Sequence, residues 1–220
     1  VGEAIELAKY ATECGTDGFM VGGSSPTVVI NLDEVVLGIK EACGLPVILF
    51  PYSHAGISRH ADAIFFMSLL NSSDPTYLIE EPVKGAPLVK AFNIEPIPMG
   101  YLMFDSGKRT MAQFVGRPKL LPNEKPEIAV TYALTAQYLG MGTVYLEAGS
   151  GAENPVSNKV ISEVRKSISL PIIVGGGIRD KKTAVEKLNA GADIIVTGTI
   201  NEGNLHKMKE IIGAIKGFKK

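Results

Sequence analysis

The 220-residue chain sets 22 basic side chains against 23 acidic ones, a formal net charge of −1, and 45% of its residues are hydrophobic. That balance offers nucleic acid no basic stripe, and the apolar fraction excludes intrinsic disorder. No stretch approaches the roughly 20 apolar residues of a membrane span, and two cysteines, Cys14 and Cys43, are too few for a disulfide framework, so a single domain over residues 1–220 in the reducing cytoplasm is expected.

In chain order, the periodicity predicts a helix over Glu3–Glu13, a strand over Gly18–Val21, a helix over Leu32–Ala42 and a strand over Val47–Phe50. A strand over Ala63–Met67, a helix over Tyr77–Lys84 and a strand over Ile97–Met103 follow. The irregular stretch Phe104–Glu127 is long for a loop. Beyond it come a helix over Ile128–Leu139, a strand over Val144–Glu147, a helix over Asn158–Ser167 and a strand over Ile172–Val174. The last three elements are a helix over Lys181–Asn189 behind an Asp180 cap, a strand over Ile194–Thr197 and a helix over Asn204–Gly213 with Asn204 as its cap. Several strands are apolar at consecutive positions, as a parallel strand buried on both faces must be.

Alternating strands and helices read as repeated βα units with right-handed crossovers. Seven strands are countable, against eight in a TIM (β/α)8 barrel; a doubly wound sheet is the other candidate home. The chain starts on an amphipathic helix, and a helix leading into a strand through Gly15–Gly18 is normally itself preceded by one. The expected fold is therefore an α/β barrel of the TIM type whose first strand lies upstream of Val1.

Three of the stretches holding the 24 glycines fall at late strand ends: Tyr145–Gly151, Gly175–Gly177 and Gly198-Thr199. In a barrel these ends converge on one mouth. Glycine there permits positive φ and close backbone approach, and successive free N–H groups make a seat for a phosphate. Barrels often place such a seat after their last two strands. Neither GxGxxG nor GxxxxGK[ST] is present, so the signal is not a dinucleotide or P-loop fingerprint.

Glu147 is an acid in an otherwise apolar strand, and Tyr145, two residues earlier, shares its side. A phenol and a carboxylate beside a phosphate nest suit a small phosphorylated polyol, with the carboxylate holding or deprotonating a hydroxyl. Alternatively the pair is structural. The turn Gly22-Gly23-Ser24-Ser25 offers hydroxyls to phosphate or to a hard cation. His54, His60 and His206 show no metal-binding spacing, and GSG at Gly149–Gly151 is not the GxSxG of a nucleophile elbow.

Four segments together, Gly15–Ser24 (GTDGFMVGGS), Tyr145–Ala152 (YLEAGSGA), Val174–Asp180 (VGGGIRD) and Val196–Thr199 (VTGT), give the chain its family resemblance. It resembles the geranylgeranylglyceryl phosphate synthase family, which includes the bacterial heptaprenylglyceryl phosphate synthases, and YLEAGSGA looks like its archaeal-type branch. The resemblance implies a TIM barrel that joins sn-glycerol 1-phosphate to geranylgeranyl diphosphate in an ether bond, opening archaeal-type membrane lipid synthesis.

By the same resemblance, glycerol phosphate would contact Tyr145, Leu146, Glu147, Ala148, Gly149, Ser150 and Gly151, with Gly176, Gly177, Gly198 and Thr199. Glu147 and Tyr145 would be the catalytic pair, and Ser24 the hydroxyl ligand of a magnesium ion. A homo-oligomer and a peripheral relation to the membrane through the lipid product are also implied. The chain departs from the family in one respect, since the first-strand Asp-Pro-Asp motif with its magnesium-binding aspartate is absent. The prenyl chain needs an apolar groove, for which Phe50, Tyr52, Phe65, Tyr101 and Phe104 are candidates, or ordinary core. Two other readings stay open: a barrel enzyme acting on a phosphosugar, and a non-catalytic glycerol phosphate binder.

Overall fold

The computed structural model describes residues 1–23, 30–198 and 204–219. Seven strands lie among them: β1 (Phe19–Gly23), β2 (Val47–Pro51), β3 (Ala63–Leu69), β4 (Glu95–Met103), β5 (Thr143–Glu147), β6 (Ile172–Gly175) and β7 (Ile194–Val196). They form one sheet in chain order, every neighbouring pair parallel. A doubly wound sheet reverses its strand order at a switch point, and none occurs here.

The sheet is curled. Phe50 on β2 and Tyr145 on β5 have ring centroids 5.6 Å apart, although three strand spacings in a flat sheet would separate them by about 14 Å. Inward residues of all seven strands meet in one apolar cluster, from Met20 and Ile48 through Phe65, Met99, Tyr101 and Tyr145 to Ile173 and Val196. Alternate residues face outward instead: Val144, Leu146, Ile172 and Val174 pack against the helices. The strands thus bury both faces, which accounts for their near-continuous apolar runs.

The helices are α1 (Gly2–Cys14), α2 (Leu32–Cys43), α3 (Glu81–Phe92), α4 (Met111–Gly116), α5 (Pro126–Tyr138), α6 (Asn158–Ser167), α7 (Lys181–Ala190) and α8 (Leu205–Lys216). Asp180 accepts from the Thr183 N–H and Asn204 from the Lys207 N–H, so both expected caps are made. Helix α1 packs on both α2 and α8, and Lys216 Nζ lies 2.6 Å from Asp17 Oδ1, joining the first and last units of the sheet.

Several elements differ from their expected bounds. A π-type turn over Thr76–Glu80 feeds α3, which runs eight residues beyond Lys84 despite Pro87. The carbonyl that Pro87 leaves unbonded belongs to Val83, an exposed residue whose backbone water can satisfy. β4 starts at Glu95, two residues before the expected Ile97, and so takes in Pro96 at the open end of the strand. The stretch after β4 contains α4, opened by a capping box in which Thr110 and Gln113 exchange side-chain and backbone hydrogen bonds.

Candidate active site

β5 ends with Tyr145 and Glu147 pointing inward, and Glu147 is only 6% exposed. Its Oε1 accepts a hydrogen bond from the Gly149 N–H at 2.5 Å. Burial pushes the Glu147 carboxyl above its usual range, while the Tyr145 hydroxyl and the Gly149 N–H pull the other way. Burial likewise raises the Tyr145 and Tyr101 phenols well above theirs, and the Glu147 charge adds to both shifts. Both phenols are therefore neutral donors at any ordinary pH. The Tyr101 and Tyr145 rings lie 5.3 Å apart on neighbouring strands, and of the two it is the Tyr145 hydroxyl that bonds Glu147.

The β6 glycines make room for this pair. A Cβ on Gly175 would collide with the Tyr145 hydroxyl, and one on Gly176 with Glu147 Oε1 and the Gly149 backbone. Gly176 and Gly177 both take positive φ, at 79° and 71°, so the chain turns sharply out of the strand directly beside the acid. The expected triplet is thus partly a packing device for Tyr145 and Glu147.

Gly149 (φ 102°) and Gly151 (φ 73°) bend the β5 exit in the same sense. The amides of Gly151, Gly176, Gly177 and Gly198 donate no hydrogen bond to another described residue. Gly198 meets this turn from β7, with Ser150 Oγ 4.0 Å from where its Cβ would stand. These N–H groups, unpaired among the described residues and drawn from three adjoining strand ends, form a backbone nest suited to an anion.

Sequence reasoning missed the groups that hold this nest in place. The Arg179 guanidinium donates to the carbonyls of Ala152 at 2.6 Å, Gly151 at 3.2 Å and Glu153 at 3.5 Å. With those carbonyls drawn to one side, the turn keeps its amides for the other. Thr110 presses on Gly149, whose Cβ would lie 2.5 Å from its Oγ1. The buried Gln113 amide donates to the carbonyls of Phe104 (3.0 Å) and Ala148 (3.4 Å), tying α4 to the same turn. The T-x-x-Q spacing of Thr110 and Gln113 was the available signal.

Other candidates fall differently. Leu146 and Ala148 face outward into the helix layer, so neither side chain reaches the mouth. Phe104 is fully buried in that same outer layer and is no groove residue, a correction that follows from its place just past the end of β4. Phe50, Phe65 and Tyr101 pack inside the barrel. Tyr52, with Phe65, Met67 and Tyr77, lines a small apolar pocket between the β2 and β3 ends and α3. Ser24 and Thr199 lie outside the described residues.

Among the described residues no three His, Cys, Asp or Glu side chains converge as a metal site would need. Glu147 is the carboxylate at the nest, and it is already engaged by Gly149 and Tyr145. The described residues alone do not compose a magnesium site, since that ion demands several oxygen ligands in near-octahedral array.

Fold and site together define a parallel β/α barrel whose C-terminal mouth sets a buried acid and two phenols beside an anion-receptive backbone nest. The chain belongs to the PcrB family, which it matches over residues 2–216. It is 53% identical over 209 residues to a geranylgeranylglyceryl phosphate synthase of Thermococcus gammatolerans, covering 94% of this chain and 82% of that protein. Among solved structures it resembles wild-type GGGPS from Thermoplasma volcanium, with a TM-score of 0.92 and 47% identity over 99% of this chain and 88% of that one. The (S)-3-O-geranylgeranylglyceryl phosphate synthase of Thermoplasma acidophilum, solved in complex with its substrate sn-glycerol-1-phosphate, gives 0.93 and 43% over 98% and 88%.

Proposed function

We propose that this chain is a prenyltransferase that joins geranylgeranyl diphosphate to sn-glycerol 1-phosphate, forming the first ether bond of an archaeal-type lipid. The observation that carries the reading is the buried Glu147 carboxylate set beside amides from three strand ends that have no partner among the described residues. The names of the relatives and the glycerol phosphate bound to the Thermoplasma acidophilum protein support it.

In this reading the phosphate sits on the amides of Gly151, Gly176, Gly177 and Gly198, with Ser150 beside them, and Thr199 is a further contact carried over from the family resemblance. Glu147 then faces the glycerol hydroxyls. The hydroxyl oxygen attacks C1 of the allylic chain, the new C–O bond forms, and the C1–oxygen bond to the diphosphate breaks with its electron pair. Glu147 takes the hydroxyl proton, a role for which its raised pKa is suited. Tyr145 steadies the carboxylate, and holding both substrates in register supplies much of the acceleration. The prenyl chain enters along the apolar pocket of Tyr52, Phe65, Met67 and Tyr77.

Magnesium remains part of the proposal, with Ser24 as an oxygen ligand, and no step above is routed through it. An eighth strand between β1 and β7 would complete the ring, a reading supported by the contact of α1 with α8 across that gap. A homo-oligomeric state and a cytoplasmic location belong to the same reading. The test is incubation with both substrates and magnesium and extraction of the product. An acid-stable ether of glycerol phosphate is expected, and its absence from correctly folded protein overturns the assignment.

A further inference from the structure

Two charged side chains are buried among the described residues, Glu147 at the mouth and Lys187 in α7. Lys187 is 4% exposed, and its ammonium donates to Asn158 Oδ1 at 2.7 Å. Asn158 is the first residue of α6, so this bond joins the helices that follow β5 and β6. Burial holds the Lys187 ammonium below its usual pKa, and the neighbouring Glu186 charge offsets that only in part. A cation beside a helix N-terminus also opposes the helix dipole. Desolvating a lysine is costly, and one neutral amide makes up little of the loss. An apolar side chain could fill the same space without it. Lys187 therefore serves something other than global stability.

Its place between α6 and α7 shows what that is. Polar ties descend this seam from top to bottom. Arg179 donates to the Ala152 carbonyl at 2.6 Å, and Lys187 to Asn158 at 2.7 Å. Ser162 Oγ then donates to the Ala190 carbonyl at 3.2 Å, and Arg165 to Asp193 at 2.9 Å. By contrast, α7 meets α8 through an ion pair of 3.8 Å between Lys181 and Glu210. Of the four donors in the seam, Lys187 is the buried one, where water competes least for its bond. The stapled units are also the ones whose exits make most of the nest. Residues 149–151 lead through 152–157 into α6, and residues 175–177 lead through 178–180 into α7. The two connections touch, since a Cβ on Gly177 would stand 2.9 Å from the Pro155 nitrogen.

We propose that Lys187 is a positioning residue for the anion seat. Through Asn158 it holds the β5 and β6 exits at a fixed separation, so that the amides of Gly151, Gly176 and Gly177 serve one ligand. Several backbone donors act together on an anion only when the turns that carry them keep their spacing. That the ligand is glycerol phosphate rests on the proposed function; the strut itself does not.

The test reads the ligand-free chain first, by amide hydrogen exchange and mass spectrometry. In Lys187→Met, residues 149–157 and 175–180 should exchange about five-fold faster, a local opening that leaves the other segments as they were. Methionine keeps the length and burial of the side chain and removes its charge, so the melting temperature should hold or rise. Asn158→Leu alters an exposed residue, removes the acceptor and should reproduce the faster exchange, whereas Asn158→Asp keeps an acceptor and should not. The double variant Lys187→Met/Asn158→Leu should exchange no faster than either single one, because both remove the same bond. Calorimetry with sn-glycerol 1-phosphate should give a Kd about ten-fold weaker in Lys187→Met and Asn158→Leu, the scale of one hydrogen bond to a charged group.

Unchanged exchange in the two turns would overturn the strut, as would additive effects in the double variant. Faster exchange spread along the whole chain with a fallen melting temperature would make Lys187 an ordinary stabilising residue, and so overturn it too. Asn158→Asp behaving as Asn158→Leu does would have the same force. Loosened turns with an unchanged Kd would overturn the positioning role. If Lys187→Met fails to fold, the two Asn158 variants decide by the same exchange measurement. A parent chain that ignores glycerol phosphate overturns the proposed function instead, and the exchange data still decide the strut.

Discussion

Glu147 Oε1 lies 2.5 Å from the amide nitrogen of Gly149, so the turn that ends β5 also orients the acid that β5 carries. Burial holds this carboxyl above its ordinary pKa, with the Tyr145 hydroxyl acting in the opposite direction. If Glu147 accepts a proton during turnover, activity should rise with pH through a limb above the usual carboxylate range. Tyr145→Phe removes an interaction that lowers the Glu147 pKa, so its limb should move to higher pH. Glu147→Gln should cut kcat by about 10²-fold or more and erase the limb. An unmoved limb in Tyr145→Phe would deny the coupling between the two side chains.

The same shift has a stability consequence of opposite sign. The folded protein binds the Glu147 proton more tightly than the unfolded chain, so this group's contribution falls as pH rises from the unfolded pKa through the raised folded one. Glu147→Gln cannot ionise and escapes that loss. Its melting temperature relative to the parent should therefore climb across that window and then level. A difference that stays flat with pH would show that Glu147 titrates normally in the folded state.

Much of this site was legible because its chemistry is local in sequence. Tyr145 and Glu147 sit two apart on one strand, and positive-φ glycines mark both turns beside them. Other features were hidden for identifiable reasons. The expected strand begins at Ile97, whereas β4 starts at Glu95 and takes in Pro96, which falls at the exposed end of the strand, where a missing amide costs little. The expected helix over Tyr77–Lys84 stops short of Pro87, although that proline leaves only a solvated carbonyl unbonded, while Pro82 suits the start of α3 at Glu81. The part played by Arg179 was invisible, because its three carbonyl partners lie 26 to 28 residues away in sequence.

Gly175 separates packing from phosphate binding. It lies within β6 with negative φ, so alanine there strains no backbone, but its Cβ would run into the Tyr145 hydroxyl. Gly175→Ala should cost about 1–3 kcal/mol in unfolding free energy, the usual range for overpacking. Paired with Tyr145→Phe, which shortens the obstructing ring by one atom, the loss should shrink. A double-mutant cycle measured by urea unfolding will show that recovery, and strict additivity would mean that the clash is relieved elsewhere.

Arg179 is a positioning residue for the nest. Lysine keeps the charge but cannot hold three carbonyls with one planar fork. Arg179→Lys should therefore raise KM for glycerol phosphate about ten-fold while lowering kcat little, since it acts on where the phosphate sits and not on the reacting carbon. KM for the prenyl diphosphate should stay as it was. A matching rise in both KM values would place Arg179 in general stability instead.

The last prediction concerns the acid side of the stability curve, away from the mouth. Glu81 opens α3 and is largely buried, which alone would raise its pKa. Hydrogen bonds from Lys84 at 2.8 Å and from the His54 ring and backbone at 2.8 and 2.7 Å overcome that cost and hold it at about 2. A depressed folded pKa contributes stability that is fully present above the unfolded value of 4.5 and is lost as pH falls toward 2. At 1.36 kcal/mol per unit the contribution is at most about 3 kcal/mol, less the screening that partly exposed Lys84 and His54 allow. Glu81→Gln should thus lower unfolding free energy at neutral pH, and the deficit should close as both proteins are titrated from pH 5 to pH 2. Urea unfolding at stepped pH measures it. A deficit that persists at pH 2 would assign the loss to packing of the helix start and not to the charge.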